Sequence, residues 1–371
     1  MLKSTKGSKA YGNDVVVTML ERWLKEAKKG KVSHATVTLF RHPDLVVSDF
    51  AGTFDAFPVN FVLDRLKLNM IGEARVNTRP TSDQDIGADN VCYNVGDSPL
   101  SFDFLAWLID AEMTRVREGA PAPLKVGFTY GQDGKRGLNN EYRQGMYVNV
   151  IRPLLTLIGA VEDPDAVHGR SKHMFVYRDV TKAAKSGEQV PTLRASEAAR
   201  KMVDSFLAHS KTPVVVTLRE SKDWAHRNSN IANWLKFADD LKTEGENVIF
   251  VRDTAMAGEP LLNHQTCPIA ALNIDIRMAM YERAKCNIFV PNGPWNLALF
   301  GDRPWLMFNE VNAKDPFFPN TPKFWIDSHG INVGEQFPWC RSDQRIVWQR
   351  DDYDVLTRAW QDCQPLLAKA A

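Results

Sequence analysis

The sequence predicts an α/β protein built on parallel sheets, and three observations predict it. Short, wholly apolar runs such as Val214-Val215-Val216 and Ile288-Phe289-Val290 have the character of strands covered on both faces. Amphipathic helical stretches alternate with such runs in two series, one in each half of the chain. Turn residues, among them Pro121, Pro123, Gly293 and Pro294, fall between the segments. Strand–helix alternation of this kind implies parallel pairing with right-handed crossovers.

Taken in order, residues 1–80 form a small α+β module. A helix starts at Asn13 or Asp14, two strands at 34–40 and 45–50 flank a turn at His42-Pro43-Asp44, and a second helix spans 58–70. We expect an accessory or interaction domain, able to bind a protein partner. Residues 72–89 are polar and serve as linker. The first α/β series fills 86–190, with a strand at 90–95, a helix at 102–118 capped by Ser101, and a strand at 124–129. A helix over 141–158 and a strand at 173–177 follow, and 181–192 is expected as an exposed connection. The second series occupies 195–345. Strands are predicted at 213–218, 247–251, 287–290 and 304–308, with helices at 231–242, at 274–284 and from Asn296. A terminal helix in 346–371, expected at 353–369, is placed to cross back to the first series.

Size and charge bound the function. With 371 residues the chain has room for two domains, and 44% hydrophobic against 25% charged residues is a globular composition. A net charge of +1 supplies no general field for nucleic acid or anionic lipid. No run of about 20 apolar residues is present to cross a bilayer, and the basic start lacks the apolar segment of a secretory signal. We expect a cytoplasmic protein. Its five cysteines, never in a CxxC pair, are expected as buried thiols. No histidine spacing fits a metal, Asp83-Gln84-Asp85 sits in the linker, and neither a G-x-S-x-G elbow nor a GxxxxGK[ST] loop occurs. No metal and no cofactor are expected.

Ligands of open parallel sheets bind beyond the carboxyl ends of the strands. Three predicted strand ends carry polar residues suited to phosphate. Arg219-Glu220 follows the strand at 213–218, with Arg227, Asn228 and Asn230 just before the next helix. Arg252-Asp253 follows the strand at 247–251. Pro291-Asn292-Gly293-Pro294-Trp295-Asn296 follows the strand at 287–290 and opens a helix. Free N–H groups at a helix start suit a phosphate, and arginines add bidentate contacts. Asn228, Ser229 and Asn230 are also ordinary capping residues, and Arg252-Asp253 also fits a local ion pair.

The stretch 288–308 resembles the donor segment of GT-B glycosyltransferases of the heptosyltransferase type. There a strand runs into an Asp-Ser/Thr-Gly-Pro-x-His-Leu-Ala turn and helix. Gly293, Pro294, Leu297 and Ala298 match, whereas Pro291, Asn292 and Asn296 replace the acidic, hydroxyl and histidine positions. Arg219 is similar in context to the phosphate-gripping arginine of fucosyltransferase-like GT-B enzymes. Gly96-Asp97 sits where heptosyltransferases carry a Gly-Asp whose aspartate acts as base.

The resemblance implies two Rossmann-like domains in a GT-B-like arrangement. It also implies a metal-independent, inverting transfer from a nucleotide-sugar donor to an acceptor hydroxyl. Asp97 is the first candidate base and Asp103 the second. Arg219, Glu220, Arg227, Asn228, Asn230, Asp253, Asn292, Gly293, Pro294 and Asn296 are the candidate donor-binding residues. Chemically, an inverting transfer needs a carboxylate to take the hydroxyl proton and positive charge at the leaving diphosphate. Two alternatives stand beside it. One is a sugar-nucleotide 2-epimerase on the same fold, with Glu141 and His173 as added acid/base groups. The other is a non-catalytic nucleotide-binding or assembly protein.

Overall fold

The computed structural model describes residues 88–95, 98–129, 141–163, 166, 176–208, 210–222, 224–311 and 320–370. The expected N-terminal module, Asp83-Gln84-Asp85, Gly96-Asp97 and His173 lie outside these residues, as does the side chain of Glu141.

The first sheet has the order β1-β2-β3, every pair parallel: β1 (Asn90–Asn94), β2 (Lys125–Thr129) and the short β3 (Val161–Glu162). Between β1 and β2 runs α1 (Phe104–Arg117), which buries Phe104, Leu105, Leu108 and Ile109 completely. Gly127 in β2 is required by space. A Cβ there would lie 1.9 Å from the carbonyl oxygen of Ala166, so another stretch of chain passes directly over the strand.

Four expectations for this half are corrected. The helix foreseen from Phe102 begins two residues later, and Ser101 does not cap its first turn; its hydroxyl bonds Asp103 instead. The single helix expected over 141–158 is three pieces: α2 (Glu141–Met146), a wide π-helical turn (Tyr147–Ile151) and α3 (Arg152–Thr156). Pro153 supplies the reason, because its ring removes a donor and crowds the carbonyl four residues back, which a widened turn relieves. Tyr177, expected to end a strand, opens the helix α4 (Tyr177–Lys185). The exposed connection foreseen from 181 is helical up to Lys185, and Thr181 is buried, its hydroxyl donating to the carbonyl of His329 at 2.7 Å.

Next comes α5 (Glu197–Leu207), which the sequence pattern did not announce; the Ser196 hydroxyl caps it by accepting from the Ala199 N–H at 3.1 Å. The second sheet is wholly parallel, with β4 (Pro213–Thr217), β5 (Asn247–Val251), β6 (Gln265–Thr266), β7 (Cys286–Phe289), β8 (Trp305–Phe308) and β9 (Gln344–Val347). Their spatial order is β6-β5-β4-β7-β8-β9. Counted from the first strand of this sheet, that is the 3-2-1-4-5-6 order of the Rossmann fold, and the order reverses between β4 and β7. Helices α6 (Ile231–Thr243), α7 (Pro268–Leu272), α8 (Ile274–Arg283) and α9 (Trp295–Leu299) are the connections. A three-residue α10 (Pro322–Phe324) runs into a π-helical turn (Trp325–His329), and α11 (Tyr353–Ala370) ends the chain.

Alternation along β4 divides the interior. Val215 faces a core shared with the first sheet, where Ile249, Phe289 and Met307 meet residues such as Phe104, Val126 and Tyr177 in one contiguous cluster. Val214 and Val216 face a second cluster containing Trp234, Phe237 and Leu241 of α6 and Leu356, Trp360 and Leu367 of α11. The terminal helix therefore does not cross back to the first sheet; its apolar face is buried on the second one, beside α6. Among the described residues no helix is long and apolar enough to cross a membrane.

Candidate functional site

The carboxyl ends of β4 and β7 open, at the reversal point, into a cavity of about 360 Å³. One wall comes from the first half of the chain: Phe102, Met146, Asn149 and Val150. The other carries Arg219, Arg227, Arg252, Asp253, Arg277, Asn292, Gly293 and Pro294. The widened turn at Tyr147–Ile151 is what brings Asn149 and Val150 to this wall.

The loop after β4 is held by its own side chains. The backbone N–H of Arg219 donates to the Ser229 hydroxyl at 2.9 Å, and its Nη1 donates to the Trp224 carbonyl at 3.0 Å and to Oδ1 of Asn228. Asn228 also receives the Ser221 N–H at 3.1 Å and donates to the Ser221 carbonyl at 2.8 Å. Asn228 thus orients Arg219 without lining the cavity. Trp224, a non-glycine residue in the left-handed region at φ 57°, is part of this closed loop. Arg227 crosses to the neighbouring strand end, donating to the Pro291 carbonyl at 3.3 Å. Asn230 caps α6, and its N–H donates to the buried Asp351 at 2.8 Å, outside the cavity.

Glu220 and Asp253 belong to the frame of the cleft. Glu220 makes a two-pronged ion pair with Arg252, one arm being Nε to Oε2 at 2.9 Å. Arg252 spends its Nη1 on the carbonyls of Glu259 and Pro260, each at 3.1 Å. Asp253 accepts the N–H groups of Thr254 at 2.8 Å and Glu220 at 3.2 Å.

Arg277, which sequence reasoning missed, stands differently. It projects from α8 in a run where every residue from Ile274 to Glu282 is buried. Its Nε donates to the Ala270 carbonyl at 2.5 Å, and its charge acts on the neighbouring phenol of Tyr281, whose hydroxyl meets the Thr217 hydroxyl at 2.8 Å. Among the described residues no carboxylate lies within ion-pair distance of it. A guanidinium buried against the cleft without a counter-charge is the chemistry of an anion site. Its signal in the sequence was a cation inside an otherwise inward-facing helix.

A second cavity of about 330 Å³ adjoins the first, and Phe102, Arg227, Asn292 and Gly293 line both. Gly293 is dictated by packing, since a Cβ would stand 2.5 Å from a ring carbon of Phe102. Asn292 caps the start of α9 by accepting the Trp295 N–H at 2.9 Å. Asn296 donates to the Gly293 carbonyl at 3.1 Å and receives the Tyr177 hydroxyl at 2.9 Å.

Asp103 also lines this chamber. Its two carboxylate oxygens accept the Ser101 hydroxyl at 2.9 Å and the Tyr177 hydroxyl at 3.2 Å. Burial, and then the charge of Asp103, push the Tyr177 phenol well above its ordinary pKa, so it stays a neutral donor. His329 stacks between the rings of Tyr177 (4.8 Å, 24°) and Trp325 (4.3 Å, 26°). Burial lowers its pKa to about 3, so it is neutral at physiological pH.

Thus Arg219, Arg227, Asp253, Asn292, Gly293 and Pro294 share the cleft, Asp103 and Asn296 share the chamber, and Glu220, Asn228 and Asn230 support the walls. Among the described residues no cluster of His, Cys, Asp or Glu is placed to hold a metal ion.

No protein-family model and no curated protein matches this sequence. Among solved structures, the chain is similar to ADP-heptose lps heptosyltransferase II of E. coli, with 14% identity and a TM-score of 0.32. That match covers 49% of this chain and spans about half, 55%, of the E. coli protein. It is also similar to a glycosyl transferase family 9 protein of Veillonella parvula, with 12% identity and a TM-score of 0.38, over 75% of this chain and 96% of that one.

Proposed function

We propose that the chain is a GT-B-type glycosyltransferase. It would move a sugar from a nucleotide-sugar donor to an acceptor hydroxyl, with inversion and without a metal ion. The observation that carries this reading is an arginine-lined cavity at the point where a 3-2-1-4-5-6 parallel sheet reverses its order. In it Arg219, Arg227 and Arg277 hold the diphosphate, with the Asn292–Asn296 turn beside them. As the glycosidic bond breaks, negative charge grows on the leaving diphosphate, and fixed guanidinium groups stabilise it there. That is the role a divalent ion fills in metal-using transferases. Asp97 is assigned as the base that takes the acceptor's proton. Asp103 already accepts two hydroxyl hydrogen bonds, which favours a role in orienting substrate over proton removal.

The test is the thermal midpoint of the protein against UDP, GDP, ADP, CMP and dTDP and their sugar conjugates. A ligand at a hundred times its Kd stabilises the folded state by about 2.7 kcal/mol. A selective rise with one nucleotide, lost in Arg219→Ala, supports the cleft assignment. No rise with any of them at millimolar concentration rejects it. Turnover that survives chelation and disappears in Asp97→Asn would support the remaining parts of the mechanism.

A further inference from the structure

A third cavity, of about 320 Å³, lies between β9, at the edge of the second sheet, and the terminal helix α11. None of its lining residues lines the cleft or the chamber beside it. Alternation along β9 turns Ile346 into the first core cluster and Val347, with Arg345 two residues before it, toward α11. The residue paired with Arg345 on β8 is Leu306, which is 1% exposed. A cation therefore stands where this face of the sheet is otherwise apolar.

The charges around the groove are not paired with one another. Arg345 is half-buried and Arg358, on α11, is exposed. Among the described residues neither has a hydrogen-bond or ion-pair partner. The one carboxylate in the lining, Asp362, follows Arg358 by four residues, the spacing of a helical ion pair, yet the two do not come within ion-pair distance. Two guanidinium groups without a counter-charge, above a floor that includes Val347, Val355 and Ala359, suit an anion with an apolar body. The occupant is not a strand of another chain. The outward N–H and carbonyl of Ile346 are already taken by the side-chain amide of Gln336, at 2.6 and 3.0 Å, which closes the middle of β9. The indole N–H of Trp348, also in the lining, is spent on the Glu335 carbonyl at 3.1 Å. Asp362 weighs against a polyanion.

We propose that this groove is a binding site for a small organic anion, a carboxylate or phosphate monoester joined to an apolar body. Arg345 and Arg358 grip its oxygen atoms, and the body rests on Val347 and Val355. A cavity of this size is at the lower end of the range for small-molecule sites. The site is separate from the cleft and does not depend on the nucleotide-sugar reading.

Calorimetric titration of the full chain with benzoate, phenyl phosphate and inorganic phosphate tests it. The proteins compared are wild type, Arg345→Gln, Arg358→Gln and, as a control on the cleft, Arg277→Met. Thermal midpoints without ligand report the fold, and both glutamine variants should match wild type because neither arginine is bonded within the protein. The expected result is that benzoate or phenyl phosphate binds more tightly than inorganic phosphate. Each glutamine substitution should weaken that binding about tenfold, as for the loss of a charged hydrogen bond, and Arg277→Met should leave it unchanged. Binding of benzoate alone identifies a carboxylate ligand and of phenyl phosphate alone a phosphate monoester, and either supports the site. Inorganic phosphate bound as tightly as phenyl phosphate overturns the apolar part of the assignment. Binding lost in Arg277→Met but kept in both glutamine variants assigns these anions to the cleft and overturns the groove. No binding of either aromatic anion at high millimolar concentration overturns it as well.

Discussion

Two buried arginines line the same cleft, and they are bonded in different ways. Arg252, at the end of β5, is paired with Glu220 and two carbonyls, so its charge and four of its donor contacts are committed to the protein. Arg277, on α8, is as deeply buried, yet among the described residues its hydrogen-bond partner is the uncharged carbonyl of Ala270. Burying an arginine costs several kcal/mol unless its charge is met. In the first case the protein meets it. In the second, the proposed diphosphate would meet it.

Breaking the committed side has the largest expected effect. Arg252→Ala leaves the Glu220 carboxylate buried without its counter-charge, and should cost about 3–5 kcal/mol of stability. Urea denaturation measures it; a loss under about 1 kcal/mol, within the range of an exposed pair, would mean that Glu220 finds another partner or water. Replacing Arg277 by Met should do the reverse. Losing one bond to a carbonyl costs stability about 1 kcal/mol, while nucleotide affinity falls by roughly 10- to 150-fold, as for a charged hydrogen bond of 1.5–3 kcal/mol. If the Met variant unfolds readily yet binds nucleotide normally, the contrast between the two arginines is wrong.

That contrast was only half legible in the sequence. Arg219 and Asn292 could be named because each stands within a few residues of a strand that is apolar on both faces, and such strands are the clearest signal in a chain; Arg227 could be named because it stands just before the next helix. β5 was located to the residue. Arg277 sits in mid-helix, and helical periodicity does not reveal that α8 is covered on all sides until the sheets are stacked around it. β6 and β9 escaped for a related reason. They are the edges of the sheet, short, and in β9 half polar, as Gln344-Arg345-Ile346-Val347 is. α4 was obscured because its inward stripe is only Tyr177, Val180 and Thr181 among lysines and alanines. The chamber was the least legible part: Asn309 and His329 follow the last predicted strand, and only the folded chain sets them around one cavity with Trp295 and Tyr177.

The second cavity has its own signature in pH. His329 has a folded-state pKa of about 3, below its ordinary value of 6.5, because burial disfavours the imidazolium. The unfolded chain therefore binds this proton first as pH falls. The stability His329 confers is complete above pH 6.5 and is lost between there and pH 3. Its contribution to the slope approaches about 1.4 kcal/mol per pH unit in that window. His329→Phe should flatten the acid limb of a stability profile taken between pH 7 and 4. An unchanged limb would place the acid sensitivity on other groups.

Smallest is the effect expected at the junction of the two cavities, where Tyr177 joins Asp103 of the first half to Asn296 of the second through one hydroxyl. Tyr177→Phe keeps the ring on His329 and removes only that bridge. The hydroxyl shares one proton between a carboxylate and an amide oxygen, so the loss of stability should be about 1.5 kcal/mol, the lower end for a hydrogen bond to a charged group. The informative quantity is how binding responds. Asp103 and Asn296 both line the chamber and neither is among the residues lining the arginine cleft. Freed from Tyr177, they should leave the binding of a bare nucleotide in the cleft as it was. A matching loss of nucleotide affinity would mean that the bridge holds the whole site together, and that cleft and chamber act as one unit.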